Sequence, residues 1–484
     1  MRWDLLCAAA VLGLFVGGRS NIATAAWLAP GLLLAAVAEL SPLTGALAAA
    51  VVLAGTAAFA FRGQIPMSRH AYLGLMAGGG LTGALPYLAH AVAADALPAI
   101  VAVLVFPVTS VALDVAGAAT SPFGVWGSPA LTQHANRPLL QVAALGGGGT
   151  VTGLLGLFAS GLGLALTDAP GGLPTFAVVT VVVIAAHLWG AVRLARRPSG
   201  ASVRIAGLVE ASATQPSDSA LGLLMADERL DDAAWERVTS ASSAALADLL
   251  ARTEHALRGG AQLVVWAEGS GLVAAGEEEA LVARVAGLAR RHGAHVALAL
   301  AVAHRDGPRH VDNRVILVDH RGDVTLDTRK ARPVPGAEAD HTIPGDGTVA
   351  WVDTTLGRIG VLVCFDLDLP RLTRQAAADG VDILLVPASD WPAISPMHTD
   401  MAVLPAVANG CAVVRPTRWG RSAAIDPHGR IVATADHVGA AGVTLWAELP
   451  SRRVQTPYAR LAMRAARSRR QKTGRERDSN PRYA

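Results

Sequence analysis

Charged side chains are so sparse in the first 192 residues that they cut this stretch into apolar runs of membrane length. There are ten of them: Arg2, Asp4, Arg19, Glu39, Arg62, Arg69, Asp95, Asp114, Arg137 and Asp168. The runs between them are 5–18, 20–38, 40–61, 70–94, 96–113, 115–136, 138–167 and 169–192. A helix rises ~1.5 Å per residue, so crossing a hydrocarbon core of ~30 Å takes about 20 mostly apolar residues. Most of the runs qualify. The run 115–136 (VAGAATSPFGVWGSPALTQHAN) is rich in Gly, Pro, Ser, Thr and Asn and reads as an interfacial loop. About seven spans are expected over residues 1–197, the first of them short. The opening MRWDLLCAAAVLGLFVGG has the basic start and apolar run of a signal peptide. Six further runs follow, so a membrane protein is expected with or without its removal. Cys7, inside the first span, reads as a small core hydrophobe.

Composition changes after the linker RLARRPSGASVR (193–204). Short β-branched runs recur at 203–209, 262–268, 295–303, 313–319, 358–365, 381–387 and 411–416, with helical stretches at 231–260 and 277–293. That alternation predicts a layered α/β domain over 203–450. The segment 451–484 reads as a basic, solvated tail; from 452 on it holds eleven Arg or Lys against two acids. The net charge of +3 gives no argument for nucleic acid. Three cysteines, Cys7, Cys364 and Cys411, make neither a disulfide framework nor a zinc cluster. Cys411 reads as buried core. The histidines are scattered and no Gly-rich phosphate loop follows a strand, so no metal or organic cofactor is expected.

Three strand ends carry reactive side chains. Glu268 ends the apolar run LVVWAE, where a carboxylate is costly unless paired. Lys330 follows VTLDTR and is one of only two lysines in the chain, the other being Lys472 in the tail. Everywhere else this sequence uses Arg, which cannot lose its proton and is not a compact point charge. A catalytic ammonium is a task for which Lys would be kept. Cys364 ends GVLVC, a strand running into a turn, where a nucleophile and a small buried residue are both plausible occupants.

Glu268, Lys330 and Cys364 in this order resemble the Glu–Lys–Cys triad of the nitrilase (carbon–nitrogen hydrolase) superfamily. KARPVPGAE resembles that superfamily's Lys motif, with Glu338 eight residues after the lysine. GVLVCFDLDLP resembles the nucleophile motif, and ASDWPAISPMHTDMAV the block after it. The resemblance spans about 203–450 and implies an αββα sandwich. A multi-span domain in front narrows it to the apolipoprotein N-acyltransferase family. SPALTQHANRPLLQVAALGG (128–147) and TPYAR (456–460) resemble segments of that family. The expected fold is thus a multi-span α-helical membrane domain followed by a nitrilase-like α/β sandwich.

The resemblance implies a membrane phospholipid as acyl donor, a thioester on Cys364, and the N-terminal amine of a diacylglyceryl-cysteine lipoprotein as acceptor. It implies Glu268 as base, Lys330 as oxyanion partner, and Glu338 as a second carboxylate at the lysine. Asp366 stands where the acyltransferases usually have Glu and is expected to support the site. Trp391, His398 and Asn313 are candidates for substrate contact, each with a structural alternative. The resemblance also implies a catalytic domain outside the cytoplasm, which seven spans from a cytoplasmic N-terminus would deliver. Against that, Arg193, Arg196, Arg197 and Arg204 crowd the last span, and cationic flanks favour the cytoplasm.

The chain also departs from the family. The stretch from Lys330 to Cys364 is short. The helix after the Trp block carries Pro405 and Ala408 in place of Arg and Glu. The residues after TPYAR are too basic to span a membrane. These departures keep two alternatives open. One is a membrane-tethered amidase or acyltransferase with another substrate; the other is a scaffold without activity.

Overall fold

The computed structural model describes residues 1–196, 198, 200–211, 216–226, 230–306, 309–438 and 442–466. The chain divides into two compact units, Met1–Arg197 and Pro198–Ala484.

The first unit is helical. Four of its described helices are long and apolar enough to cross a membrane: Pro42–Ala60, Ala99–Thr120, Gly148–Leu166 and Gly172–Ala195. Trp3–Gly13 and Ala23–Val37 are apolar but shorter. The run 70–94 is divided between Arg69–Gly83 and Leu85–Ala96. The helices pack through small residues, as expected where lipid removes the hydrophobic drive between helices. A Cβ on Gly31 would stand 2.9 Å from the Ala159 carbonyl oxygen, so only glycine lets these two helices approach so closely. Large apolar side chains such as Val181, Ile184, Leu188 and Val192 stay exposed on the last helix, which suits a lipid-facing surface.

Two expectations change here. Helix continues through Asp114 to Thr120, so the irregular stretch begins only at 121. Asp114 is accommodated because Thr152 Oγ1 donates to its carboxylate at 2.6 Å. The stretch that follows folds into the unit. Gln133 is fully buried, accepts from Trp27 Nε1 at 3.0 Å and donates to the Ala23 carbonyl at 2.9 Å. Irregular backbone within such a helical unit is tolerable where side chains satisfy it in this way. Cys7 is exposed on its helix and not in the core.

The second unit is an αββα sandwich. Its strands are β1 Ser202–Leu208, β2 Leu263–Trp266, β3 Gly271–Ala274, β4 His295–Ala303, β5 Val311–Val318, β6 Val324–Arg329, β7 Ala350–Thr354, β8 Gly357–Val361, β9 Ile383–Leu385, β10 Ala388–Ser389, β11 Ala412–Arg415, β12 Thr417–Arg418, β13 Arg421–Ile425, β14 Ile431–Asp436 and β15 Thr444–Pro450. One sheet runs β15-β1-β2-β4-β5-β6, with β3 on β4; the other runs β14-β13-β11-β9-β8-β7; β10 and β12 form a short ribbon. Each sheet has a parallel centre, β1-β2-β4 or β8-β9-β11; β3 also pairs parallel with β4, and the remaining strands of the two sheets are antiparallel to their neighbours.

Every residue of β2, β4, β9 and β11 is buried, so both faces of each sheet are covered. Between the sheets, Ile205, Val265 and Val296 share one core with Val361, Leu385 and Val414. The helix Asp232–Arg258 begins with Asp231 capping the Ala234 N–H and buries Val238, Ala245 and Leu249 on one face. The helix Glu278–His292 places acids in its first turn and bases in its last, which suits the helix dipole. Residues 457–466 of the expected tail are helical, and 467–484 lie outside the described residues.

Candidate active site

The ends of three strands, β2, β6 and β8, carry the reactive side chains. Glu268 follows β2, Lys330 follows β6 and Cys364 follows β8. Lys330 Nζ donates to Glu268 Oε1 at 2.9 Å and to Glu338 Oε1 at 2.9 Å. Asn313 Nδ2 donates to the same Glu268 oxygen at 2.7 Å, and the Ser389 N–H donates to Glu268 Oε2 at 2.8 Å. Both carboxylate oxygens therefore have donors, which makes the burial of Glu268 tolerable. Lys330 is fully buried and held between two carboxylates. Burial alone would push its proton off. The charges of Glu268 and then Glu338 outweigh burial and hold the ammonium well above its ordinary pKa.

Cys364 opens a 3-10 turn, Cys364–Asp368, with φ at +49°. Such a backbone conformation costs a non-glycine residue on the order of 1–3 kcal/mol, and strain of this kind gathers at functional sites. The Cys364 N–H donates to the Pro387 carbonyl at 2.8 Å, and Sγ lies 3.8 Å from the Ser389 carbonyl oxygen. Burial, followed by the Glu268 carboxylate, pushes the thiol well above its ordinary pKa, while Lys330 opposes this. The sulfur therefore rests as a thiol and needs a base to become a nucleophile.

Asp366 ties the Lys330 segment to the Cys364 turn. It accepts the N–H groups of Ala331 at 3.0 Å, Arg332 at 2.8 Å and Val363 at 3.1 Å. Burial pushes its carboxyl up to about 7, with Lys330 and the three N–H donors opposing. The side chain one methylene shorter than the family's glutamate reaches the backbone directly. Trp391 is half-buried beside Asp390. His398 is buried, and both its ring nitrogens face carboxylates: Nδ1 to Asp390 at 2.7 Å and Nε2 to Asp368 at 2.8 Å. The imidazole is held by the protein on both sides, as the structural alternative for His398 expects. Cys411 is buried core, and burial raises its thiol to about 12.

Sequence reading missed Asp368, Asp390 and Arg415, and also the pair Glu210–Arg418. Arg418 Nε meets Glu210 Oε1 at 2.6 Å, Ser270 Oγ donates to Glu210, and Arg418 Nη1 donates to the Gly269 carbonyl at 3.5 Å. The pair thus braces the turn that carries Glu268. The signal that marked Glu268, a charge ending an apolar strand, is also present at Arg415 in CAVVR and at Asp390 in ILLVPASD.

Cys364 Sγ, an Asp390 oxygen and a His398 nitrogen lie within 4.8 Å of one another, a donor set that by type suits a soft metal. The surroundings do not fit one. Arg415 donates to both Asp390 oxygens, at 2.8 and 3.1 Å, so a cation would have to displace a guanidinium.

Residues 222–457 match the carbon–nitrogen hydrolase family. Within the second unit, residues 222–457 thus carry a carbon–nitrogen hydrolase domain. More particularly, the chain is 26% identical over 353 residues to the apolipoprotein N-acyltransferase of Geobacter metallireducens, covering 67% of this chain and 64% of that protein. It is 29% identical over 137 residues to the deaminated glutathione amidase of Homo sapiens, covering 24% of this chain and 42% of that protein. The chain thus spans less than two thirds of the length of either relative. An amidase structure from Nesterenkonia sp. is matched over 54% of this chain and 94% of that chain, with 21% identity and a TM-score of 0.40.

Proposed function

We propose that the chain moves an acyl chain from a membrane phospholipid, through a thioester on Cys364, to the N-terminal amine of a diacylglyceryl-cysteine lipoprotein. The observation that carries this reading is the extent of the acyltransferase match. Its 67% is more than the whole of the second unit, so the likeness enters the apolar helices. The human amidase match covers only 24%.

In this reading Glu268 takes the proton from Cys364, and the thiolate attacks the ester carbonyl of the donor. Lys330 Nζ, held against Glu268 and both oxygens of Glu338, supplies a fixed positive charge for the tetrahedral oxyanion. The intermediate collapses and expels the lysophospholipid oxygen, which takes the proton back from Glu268. The acceptor amine then attacks the thioester, gives its proton to Glu268, and the thiol is restored. Exclusion of water favours the amine over hydrolysis. Both substrates are lipid-anchored, which suits a chain with four apolar helices long enough to cross a membrane. The lipoprotein acceptor implies a catalytic domain on the extracytoplasmic face.

The short segment between Lys330 and Cys364 favours a second reading, a membrane-tethered amidase using the same residues on an amide. One experiment separates the two. Wild type and Cys364→Ser are incubated in liposomes with phospholipid carrying a labelled acyl chain, and a diacylglyceryl-cysteine peptide is then added. The proposal expects label trapped on the wild type alone and discharged onto the peptide amine. Failure to trap label, with Cys364 still open to a thiol reagent, would reject the phospholipid donor and favour the amidase.

A further inference from the structure

A second charged cluster lies directly behind the nucleophile. Asp368 closes the 3-10 turn that Cys364 opens, Asp390 follows β10, His398 lies in the short helix Met397–Met401, and Arg415 ends β11. All four side chains are buried. His398 bridges the two carboxylates. Arg415 grips Asp390 with both terminal nitrogens and donates to Thr399 Oγ1 at 2.9 Å and Thr417 Oγ1 at 2.8 Å. An imidazole, a guanidinium and two carboxylates thus lock four chain segments together. A bidentate guanidinium fixes direction as well as distance.

Its place in the fold separates this cluster from an ordinary buried ion pair. Asp390 directly follows Ser389, whose N–H holds Glu268 Oε2 and whose carbonyl faces Cys364 Sγ. The Asp390 N–H in turn donates to the Arg418 carbonyl at 2.9 Å. The peptide that touches both base and nucleophile is therefore anchored on its far side by the cluster.

We infer that Asp390, His398 and Arg415 are positioning residues that hold the Ser389 peptide, and through it set Glu268 against Cys364. The inference rests on reading Glu268 as base and Cys364 as nucleophile. Its test is independent of any lipid substrate.

The test measures alkylation of Cys364 by iodoacetamide in full-length protein in detergent, from neutral to strongly alkaline pH, with the Cys364 peptide followed by mass spectrometry. Wild type is compared with His398→Gln and Arg415→Lys, each assayed well below its melting temperature. Wild type is expected to label at neutral pH because Glu268 removes the proton. Both variants are expected to lose this neutral limb by about tenfold or more, the scale of a misplaced base, and to regain the wild-type rate in alkali, where hydroxide replaces it. A cluster that only stabilises the fold would lower the melting temperature and leave the profile of the folded protein unchanged. A neutral limb like that of the wild type in either folded variant overturns the inference. If neither variant folds, Thr399→Val, which removes one Arg415 acceptor, is judged by the same criterion. A wild type without a neutral limb rejects the base assignment, and the inference falls with it. Absence of acyl transfer alongside the expected alkylation pattern would reject the acyltransferase reading alone.

Discussion

Lys330 Nζ lies 2.9 Å from Glu268 Oε1, although the two residues are 62 positions apart in the chain. A single ammonium joins the ends of β2 and β6 and also holds Glu338, so its charge is part of the architecture of the site. Replacing it with Arg keeps the charge but puts a planar fork in a fully buried slot. Lys330→Arg is expected to fold less stably and to lose acyl trapping on Cys364 by at least about a hundredfold, the scale of one lost oxyanion donor. Trapping of labelled acyl chains together with thermal unfolding in detergent checks this.

Asp366→Asn tests the link between the lysine and cysteine segments. An amide offers one acceptor oxygen where the carboxylate serves three N–H groups, so an NH2 group must face a backbone donor. The expected loss is about 1–3 kcal/mol, the cost of a buried group left unsatisfied. A lowered melting temperature with a slower Cys364 alkylation rate would support this. Stability like that of the wild type would mean that the N–H groups find other partners.

The pH dependence of stability should carry the mark of His398. Burial opposes its charge, but Asp368 and Asp390 outweigh burial and raise the imidazole from 6.5 to about 9. A raised folded pKa stabilises the fold fully below the unfolded value and loses that contribution as pH climbs through the folded one. The melting temperature of the wild type should therefore fall between pH 6.5 and about 9, and more steeply than that of His398→Gln. Parallel slopes would contradict a protonated His398 at neutral pH.

Glu210 and Arg418 offer a fourth test. Both side chains are almost wholly buried, and they brace the turn after Glu268. Removing one partner of such a pair strands the other charge, at a typical cost of about 3–5 kcal/mol. Arg418→Met is expected to approach that loss. Glu210→Gln with Arg418→Met together should recover part of it, because neither charge is then left alone. Thermal unfolding of the two single variants and the double variant reads this coupling.

Much of the fold was legible in the sequence because burial writes itself into composition. Residues of β2, β4, β9 and β11 are covered on both faces and read as continuous apolar runs. The outer strands were harder to see. In β14 half-buried residues alternate with exposed ones, and β10 and β12 have two residues each, too short for a pattern. The helix through Asp114 was misplaced because a charge was read as a boundary, whereas Thr152 satisfies that carboxylate within the unit.

Sequence alone determined the apolar N-terminal half, the α/β second half, and three strand ends bearing Glu268, Lys330 and Cys364. Each follows from local chemistry: runs without charge, alternation of strand and helix, and reactive groups where apolar strands stop. Only the tertiary structure decided which groups meet. His398 could not be assigned from its own neighbours, because its role depends on Asp368, Asp390 and Arg415 arriving from other strands and turns. The same holds for Ser389, which meets Glu268 and Cys364 through its backbone N–H and carbonyl, groups that every non-proline residue shares and that only folding can aim.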